Sequence, residues 1–178
     1  MEVQKLELVV GDIKGNREIA YALLVAEQPY FVNQNVIEEE GKLTIESLLT
    51  DEYYSWDKLI TMIDEEKLRH LINIGQLFHA LQDSIYTYNL SPNNLVFSRN
   101  GNPLFVFRGV KGQVPPYDVV SLDEFTVNFK AMIVSLLDKK TSYEKLIEGQ
   151  SPFYKGKLFC ETIMKAENLD EIISLLEE

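Results

Sequence analysis

The stretch YTYNLSPNNLVFSRNGNPLFVFRGVKG, residues 86–112, decides the reading of this chain. Two apolar runs, NLVFS and PLFVFRG, flank Arg99-Asn100-Gly101-Asn102. Apolar runs on either side of Asn-Gly predict a β-hairpin, because that dipeptide accepts the left-handed conformation a tight turn demands. Upstream, DEEKLRHLINIGQLFHALQDSIYTY (64–88) predicts one long helix. Its Leu68, Leu71, Ile72, Gly75, Phe78 and Leu81 recur at three-and-four spacing, and Asp64, Glu65 and Glu66 suit the positive end of the helix dipole. YSWDKLITMI predicts a shorter helix before it. Downstream, GQVPPYD reads as a stiff connector, since Pro115 and Pro116 cannot donate to a ladder. Ser121 with Glu124 forms a capping pattern that opens another helix, with Leu122, Phe125, Phe129, Met132, Ile133, Leu136 and Leu137 as its buried face. Thr141 with Glu144, and Asn168 with Glu171, repeat the pattern before SYEKLIEG and LDEIISLLEE.

The first third is richer in strands. VQKLELVV alternates apolar and polar residues as a strand does, and Gly11 to Asn16 reads as a turn. REIAYALLVAEQ fits a helix or a strand, and Pro29 ends it. YFVNQNVIEEEGKLTIESLL predicts two strands around an acidic turn, Glu38 to Lys42, with Gly41 supplying the turn conformation. The class is α+β. No repeat or linker divides the chain, so residues 1–178 read as one domain, with a strand-rich lobe over about 1–54 and a helical lobe over 55–178.

Composition narrows the function. Hydrophobic residues make up 46% and aromatic residues 11%, enough for a sizeable core. Lys and Arg total 17 against 28 Asp and Glu, a net charge of −11, and the longest basic run is Lys139-Lys140. Binding to nucleic acid or to an anionic membrane surface rests on clustered cations, so neither is expected. The single cysteine, Cys160, stands among apolar residues and reads as a buried structural thiol. The start lacks the basic and apolar segments of a signal peptide. The longest apolar stretch, Tyr21 to Ala26, falls far short of the ~18 residues of a membrane span. Asn89-Leu90-Ser91 matches a glycosylation acceptor on paper, with nothing else pointing to secretion.

A long helix, a loop, a hairpin and further helices follow one another in the large lobe of a protein kinase. Kinases carry H-R-D-L-x-x-x-N in that loop. Here Thr87-Tyr88-Asn89-Leu90-Ser91-Pro92-Asn93-Asn94 stands in register, with Leu90, Pro92 and Asn94 falling into place. The proton-accepting aspartate is replaced by Asn89, whose amide cannot take a hydroxyl proton near neutral pH. The metal-binding D-F-G triplet aligns with Phe107-Arg108-Gly109, and Phe107 offers no oxygen to magnesium. Gly11-Asp12-Ile13-Lys14-Gly15 matches neither phosphate-cradling glycine pattern, and the strand lysines are Lys5 and Lys42, at edges or turns. The expectation is a two-lobed, kinase-like fold with no catalytic residue, cofactor or metal. On pattern alone, a helix, an Asn-rich turn and a hairpin holding a helical core stand equally open.

Three runs carry a closer resemblance: EEKLRHLINIGQLFHAL, then LSPNNLVFSRNGNPLFVFRGVKGQVPPYD, then YEKLIEGQSPFYKG. With KLELVV and LDEIISLLEE at the ends, the chain resembles the cytoplasmic region of the EssB/YukC family, membrane-anchored components of the type VII (Esx) secretion system of Gram-positive bacteria. The resemblance implies a pseudokinase-like scaffold at the cytoplasmic face of the membrane, with a transmembrane helix and an extracytoplasmic domain beyond residue 178. It implies partners among other secretion subunits, including the membrane ATPase, and self-association. It offers no catalytic residue. The resemblance also leads to the expectation that an N-terminal extension found in some relatives is lacking. Two other readings are a residual nucleotide-binding or phosphotransfer protein, and a free adaptor.

Individual residues carry further expectations. His70 and His79, nine apart on a helix, point in opposed directions and read as solvated or core-edge residues, not a metal pair. Asn94 is expected to hydrogen-bond the loop backbone. Arg108 is expected to pair with a helix carboxylate and lock the loop, with a partner-facing role as the alternative. Glu38, Glu39 and Glu40 read as a solvated turn or, less simply, as a contact for a basic partner. Trp56 is expected to pack between the lobes or to anchor a partner.

Overall fold

The alternation in VQKLELVV becomes a strand, β1 (Glu2–Val9), with Gln4, Leu6 and Leu8 turned inward. The computed structural model describes residues 2–138, 142–148 and 158–178. REIAYALLVAEQ is a helix, α1 (Arg17–Val25), because Asn16 caps it: its Oδ1 accepts from Ile19 N at 3.1 Å. Ala20 and Leu24 form its buried face.

The acidic turn joins β2 (Gln34–Glu39) to β3 (Lys42–Leu49). Glu39 pairs with Lys42, and the two residues between them, Glu40 and Gly41, sit at φ 49° and 80°. Two consecutive left-handed residues make the turn that matches strand twist. β3 lies in the middle of an antiparallel sheet ordered β1-β3-β2. Glu38 belongs to β2, not to a free turn: its carboxylate accepts from Arg17 and from Tyr21 Oη, both at 2.8 Å.

A short strand, β4 (Tyr54–Ser55), leads into α2 (Trp56–Ile60). The helix expected over 64–88 is instead three elements: α3 (Asp64–Gly75), α4 (Leu77–Leu81) and a strand, β5 (Tyr86–Thr87). The apolar period runs straight through Gln76, with Ile74, Leu77 and Leu81 all buried, so the pattern carries no sign of the break. The end has a local cause, as Ser84 N turns back to Leu81 O and Ser84 Oγ accepts from Tyr86 N. Its other cause is distant, for β5 pairs with Gly109–Val110, the last strand, β8.

The Asn-Gly hairpin forms as expected from β6 (Leu95–Phe97) and β7 (Pro103–Phe105), and β6 also pairs with β4. PLFVFRG is not one strand: β7 stops at Phe105, and the chain crosses to β8. The Pro115–Pro116 peptide is cis. This connector docks on the turn after β1, where Lys14 N donates to Gln113 O and Tyr117 Oη to Asp12 O.

Helix α5 (Leu122–Asp138) begins at Ser121, whose Oγ accepts from Glu124 N at 3.1 Å. Six of its seven expected core residues are buried; Leu122, in the first turn, is 44% exposed. The Thr141–Glu144 cap lies outside the described residues. Ser142 caps α6 (Tyr143–Ile147), accepting from Lys145 N. Next come α7 (Leu158–Lys165) and α8 (Leu169–Glu177). Asn168 accepts from Glu171 N as expected, but the Glu171 carboxylate returns to Glu167 N, one residue early. Lys130 on α5 donates to Met164 O and Ala166 O, satisfying carbonyls at the end of α7.

One apolar core runs from Leu43 and Ile45 of the sheet through Phe97 and Phe105 to Phe125, Phe129 and Ile172 of the helices. Cys160 is buried. Among the described residues, no helix is long and apolar enough to cross a membrane.

The β5–β8 crossing leaves no room for a side chain at Gly109. A Cβ there would lie 2.6 Å from the carbonyl oxygens of Val114 and Pro115, and closer still to Thr87 Oγ1. Gly109→Ala is expected to destabilise the fold by roughly 2–3 kcal/mol, the cost of overpacking a rigid site, read as a lower midpoint in urea with an unchanged slope.

Candidate functional site

The site is built where the segments after β5 and after β7 lie side by side. Asn94 ties them together. Its Nδ2 donates to Asn89 O at 2.9 Å and to Phe107 O at 3.2 Å, while its Oδ1 accepts from Phe107 N at 2.9 Å. Val106 N donates to the Asn94 carbonyl. Asn94 thus spends its side chain on backbone, as the sequence predicts for a turn asparagine. Asn89 is exposed and holds this clip through its carbonyl, not its amide.

Arg108 is the surprise. It is 2% exposed and meets no carboxylate among the described residues. One terminal nitrogen donates to Leu24 O at 2.6 Å and to Ala26 O at 2.7 Å, and Nε donates to Gln34 Oε1 at 3.3 Å. The guanidinium lies against Phe31 and Tyr86, 5.4 and 4.8 Å from their ring centres. The expected carboxylate pair is therefore replaced by the carbonyl end of α1. The physical reason is that a helix C-terminus presents unsatisfied carbonyls and the negative end of a dipole, so it serves as a neutral counter-group for a buried cation. Burial lowers the Arg108 pKa from its ordinary value, and Tyr86 partly offsets this. The second terminal nitrogen has no hydrogen-bond partner among the described residues.

Around these residues runs an open groove of about 500 Å³, walled by Leu6 and Leu8 of β1, the Asn89–Asn94 loop, Phe107 and the Pro115–Pro116 turn. Among the described residues, no carboxylate lines it. The donor set is amide, hydroxyl and carbonyl with one cation beneath, which suits neither a divalent ion nor a base for a hydroxyl proton. Burial raises the pKa of Tyr88, behind the loop, above its ordinary range. Tyr143 of α6 donates to Leu90 O at 2.9 Å, and burial pushes its pKa to about 12.

Other expected site residues lie apart from the groove. Trp56 is 9% exposed and packs in the core at the start of α2. Glu39 and Glu40 are exposed at the tip of the β2–β3 hairpin, away from the loop. His70 is buried, not solvated: its Nδ1 meets Glu66 O at 2.7 Å and its Nε2 meets Tyr54 Oη at 2.6 Å. His79 is exposed, near Asp170. Sequence reasoning missed the partners of Arg108 altogether. Gln34 is 74 residues away and the α1 carbonyls more than 80, and no local pattern marks a helix end as an acceptor.

The family described as "WXG100 protein secretion system (Wss), protein YukC" matches residues 9–178, and the chain belongs to this family. It is 31% identical over 172 residues to the type VII secretion system protein EssB of Staphylococcus aureus strain USA300. That match takes in 97% of this chain but 38% of the relative's length. In structure it is similar to the S. aureus EssB cytoplasmic fragment, with a TM-score of 0.88, 29% identity and 97% of each chain covered. It shares its fold with the Geobacillus thermodenitrificans EssB cytoplasmic fragment, at a TM-score of 0.81 and 15% identity, covering 97% of this chain and 81% of that one. The chain has a mixed α/β fold of small antiparallel sheets and helices, like that of the S. aureus fragment.

Two outcomes follow from the site. Arg108→Met leaves the α1 carbonyls and Gln34 without their donor, and is expected to cost about 3 kcal/mol in urea unfolding, with Arg108→Lys recovering only part because an ammonium lacks the planar fork. The raised tyrosine pKa values bear on alkaline stability. In the unfolded chain these phenols ionise near pH 10, whereas folded Tyr143 holds its proton to about pH 12. Their contribution is complete below pH 10 and is lost as pH rises from about 10 to 12. Unfolding midpoints should be level up to about pH 9.5 and fall above it, and Tyr143→Phe should flatten that fall.

Proposed function

We propose that this chain is a kinase-like but non-catalytic assembly domain of a type VII secretion machine. Its strand-rich lobe covers about residues 1–54 and its helical lobe residues 55–178. It works through protein–protein contacts at the cytoplasmic face of the cell membrane, with the membrane anchor in a segment outside this chain. Its partners are other secretion subunits, the membrane ATPase among them, and a second copy of itself. Family membership supports the setting, because the S. aureus and G. thermodenitrificans relatives of known structure are cytoplasmic fragments.

The observation that carries the reading is the fate of the loop. Phosphoryl transfer is positioning plus charge neutralisation, and needs a base and a held metal ion. Asn89 offers an amide, Asn94 is spent on backbone, and Arg108 is locked beneath the groove by the end of α1. A rigid body with such a groove supports recognition, and tethering at a membrane raises the effective concentration of weak contacts. Of the expected contact residues, Glu39 and Glu40 fit a basic partner surface best, being exposed, while buried Trp56 offers little.

The groove itself favours one other reading, residual nucleotide binding. A ligand at 100 times its dissociation constant stabilises a fold by about 2.7 kcal/mol. With millimolar ATP and magnesium the melting temperature is expected to stay within about 1 °C, and a rise of several degrees overturns the non-catalytic reading. With the chain as bait, secretion subunits should be captured from a producing cell, and charge reversal at Glu39 and Glu40 should reduce that capture.

A further inference from the structure

The outer strands of the first sheet are unequal. β2 lies beside α1, which holds Glu38 through Arg17 and Tyr21. β1 pairs with β3 on one side, and among the described residues no strand pairs with its other side. An unpaired edge eight residues long is a template for another strand.

The register of β1 settles which groups that edge presents. Val10 N donates to Gly41 O at 2.9 Å, and from there the pairs run Leu8↔Leu43, Leu6↔Ile45 and Gln4↔Ser47. In an antiparallel ladder alternate residues bond to alternate sides, so the even-numbered residues bond to β3. The backbone N–H and C=O of Val3, Lys5, Glu7 and Val9 then face outward. The same four side chains lie on the solvent face, where Val3 is 41% and Val9 55% exposed.

We propose that β1 pairs antiparallel with β1 of a second copy about a two-fold axis at Leu6, joining the two sheets into one of six strands. This deepens the self-association in the function proposed above by assigning it a surface. Backbone parity admits only registers in which odd residues exchange bonds with odd residues. Centring on Lys5 sets Lys5 against Lys5, and centring on Glu7 sets Glu7 against Glu7, each a like-charge pair across the strands. Centring on Leu6 sets Lys5 against Glu7 and Val3 against Val9, each twice by symmetry. That register also brings all four outward-facing residues, Val3, Lys5, Glu7 and Val9, into pairing. A lysine in an edge strand ordinarily guards against pairing, yet here each copy supplies the glutamate that neutralises it. On the inner side, Leu6 meets Leu6 and lies next to Leu8, and both are partly exposed along the open groove. The contact is isologous and closes at two copies.

Two experiments on the 178-residue chain test the register. In the first, chains carrying Val3→Cys and Val9→Cys are mixed under mild oxidation. Val3 and Val9 of opposite copies fall about 5.5 Å apart at Cα, within disulfide reach. Buried Cys160 serves as an internal control present in both. The mixed disulfide should exceed either self-linked product at least tenfold, and equal yields overturn the proposal. In the second, association is followed by sedimentation. Lys5→Glu should weaken it about tenfold, by replacing two attractive cross-strand pairs with two repulsive ones, and adding Glu7→Lys should restore it. Lys5 is exposed and makes only a 3.6 Å ion pair with Glu46, so melting curves should confirm that both variants fold. Association indifferent to both changes overturns pairing through β1 and leaves self-association standing. A chain that stays monomeric overturns both, while capture of secretion subunits tests the assembly role separately.

Discussion

The buried guanidinium of Arg108 is the interaction on which the arrangement turns. It reaches from the end of the Asn-Gly hairpin to the carbonyls that α1 leaves open at Leu24 and Ala26, and to Gln34 at the start of β2. Phe31 and Tyr86 close over it as aromatic faces. A cation this deep is costly unless its donors are met, and helix-end carbonyls meet them without bringing in a second charge. The sheet, its helix and the loop cluster are thereby held in one geometry. The same contact places a fixed positive charge beneath the groove walled by Leu6, Leu8 and the Asn89–Asn94 loop.

Asn94 does the corresponding work at shorter range. Its amide bridges Asn89 and Phe107, so the segments after β5 and after β7 are stitched to each other. Tyr143 adds a second tie from α6 to Leu90. Polar residues in this loop are thus employed in holding shape. That suits the assembly role proposed above, and it accords with a family described by a secretion system.

Those surfaces are not equivalent. α1 lies beside β2 and holds its Glu38, while among the described residues no strand pairs with the outer side of β1. The hairpin tip between β2 and β3 carries exposed acid at Glu39 and Glu40. A net charge of −11 spread over such a body disfavours unspecific contact with polyanions.

Local physics made much of this legible from the residues alone. Period-two alternation marked β1 and β3, Gly41 and Asn100-Gly101 marked the tight turns, and Ser121 and Asn168 marked helix starts, because each signal is complete within a few residues. The expectation of no base at Asn89 and no metal ligand at Phe107 likewise came from the residue types alone, since side-chain chemistry travels with the letter. Three things waited for the folded chain: the division of 64–88 into two helices and a strand, the transfer of Gly109–Val110 from the hairpin to β5, and the partners of Arg108. Each depends on contacts formed across tens of residues, and a helix end, a strand edge or a ring face leaves no local mark saying which distant group it will meet. The sequence by itself thus determined the tight turns, the helix caps and the alternating strands; tertiary packing alone decided where 64–88 breaks and which backbone groups satisfy the buried cation.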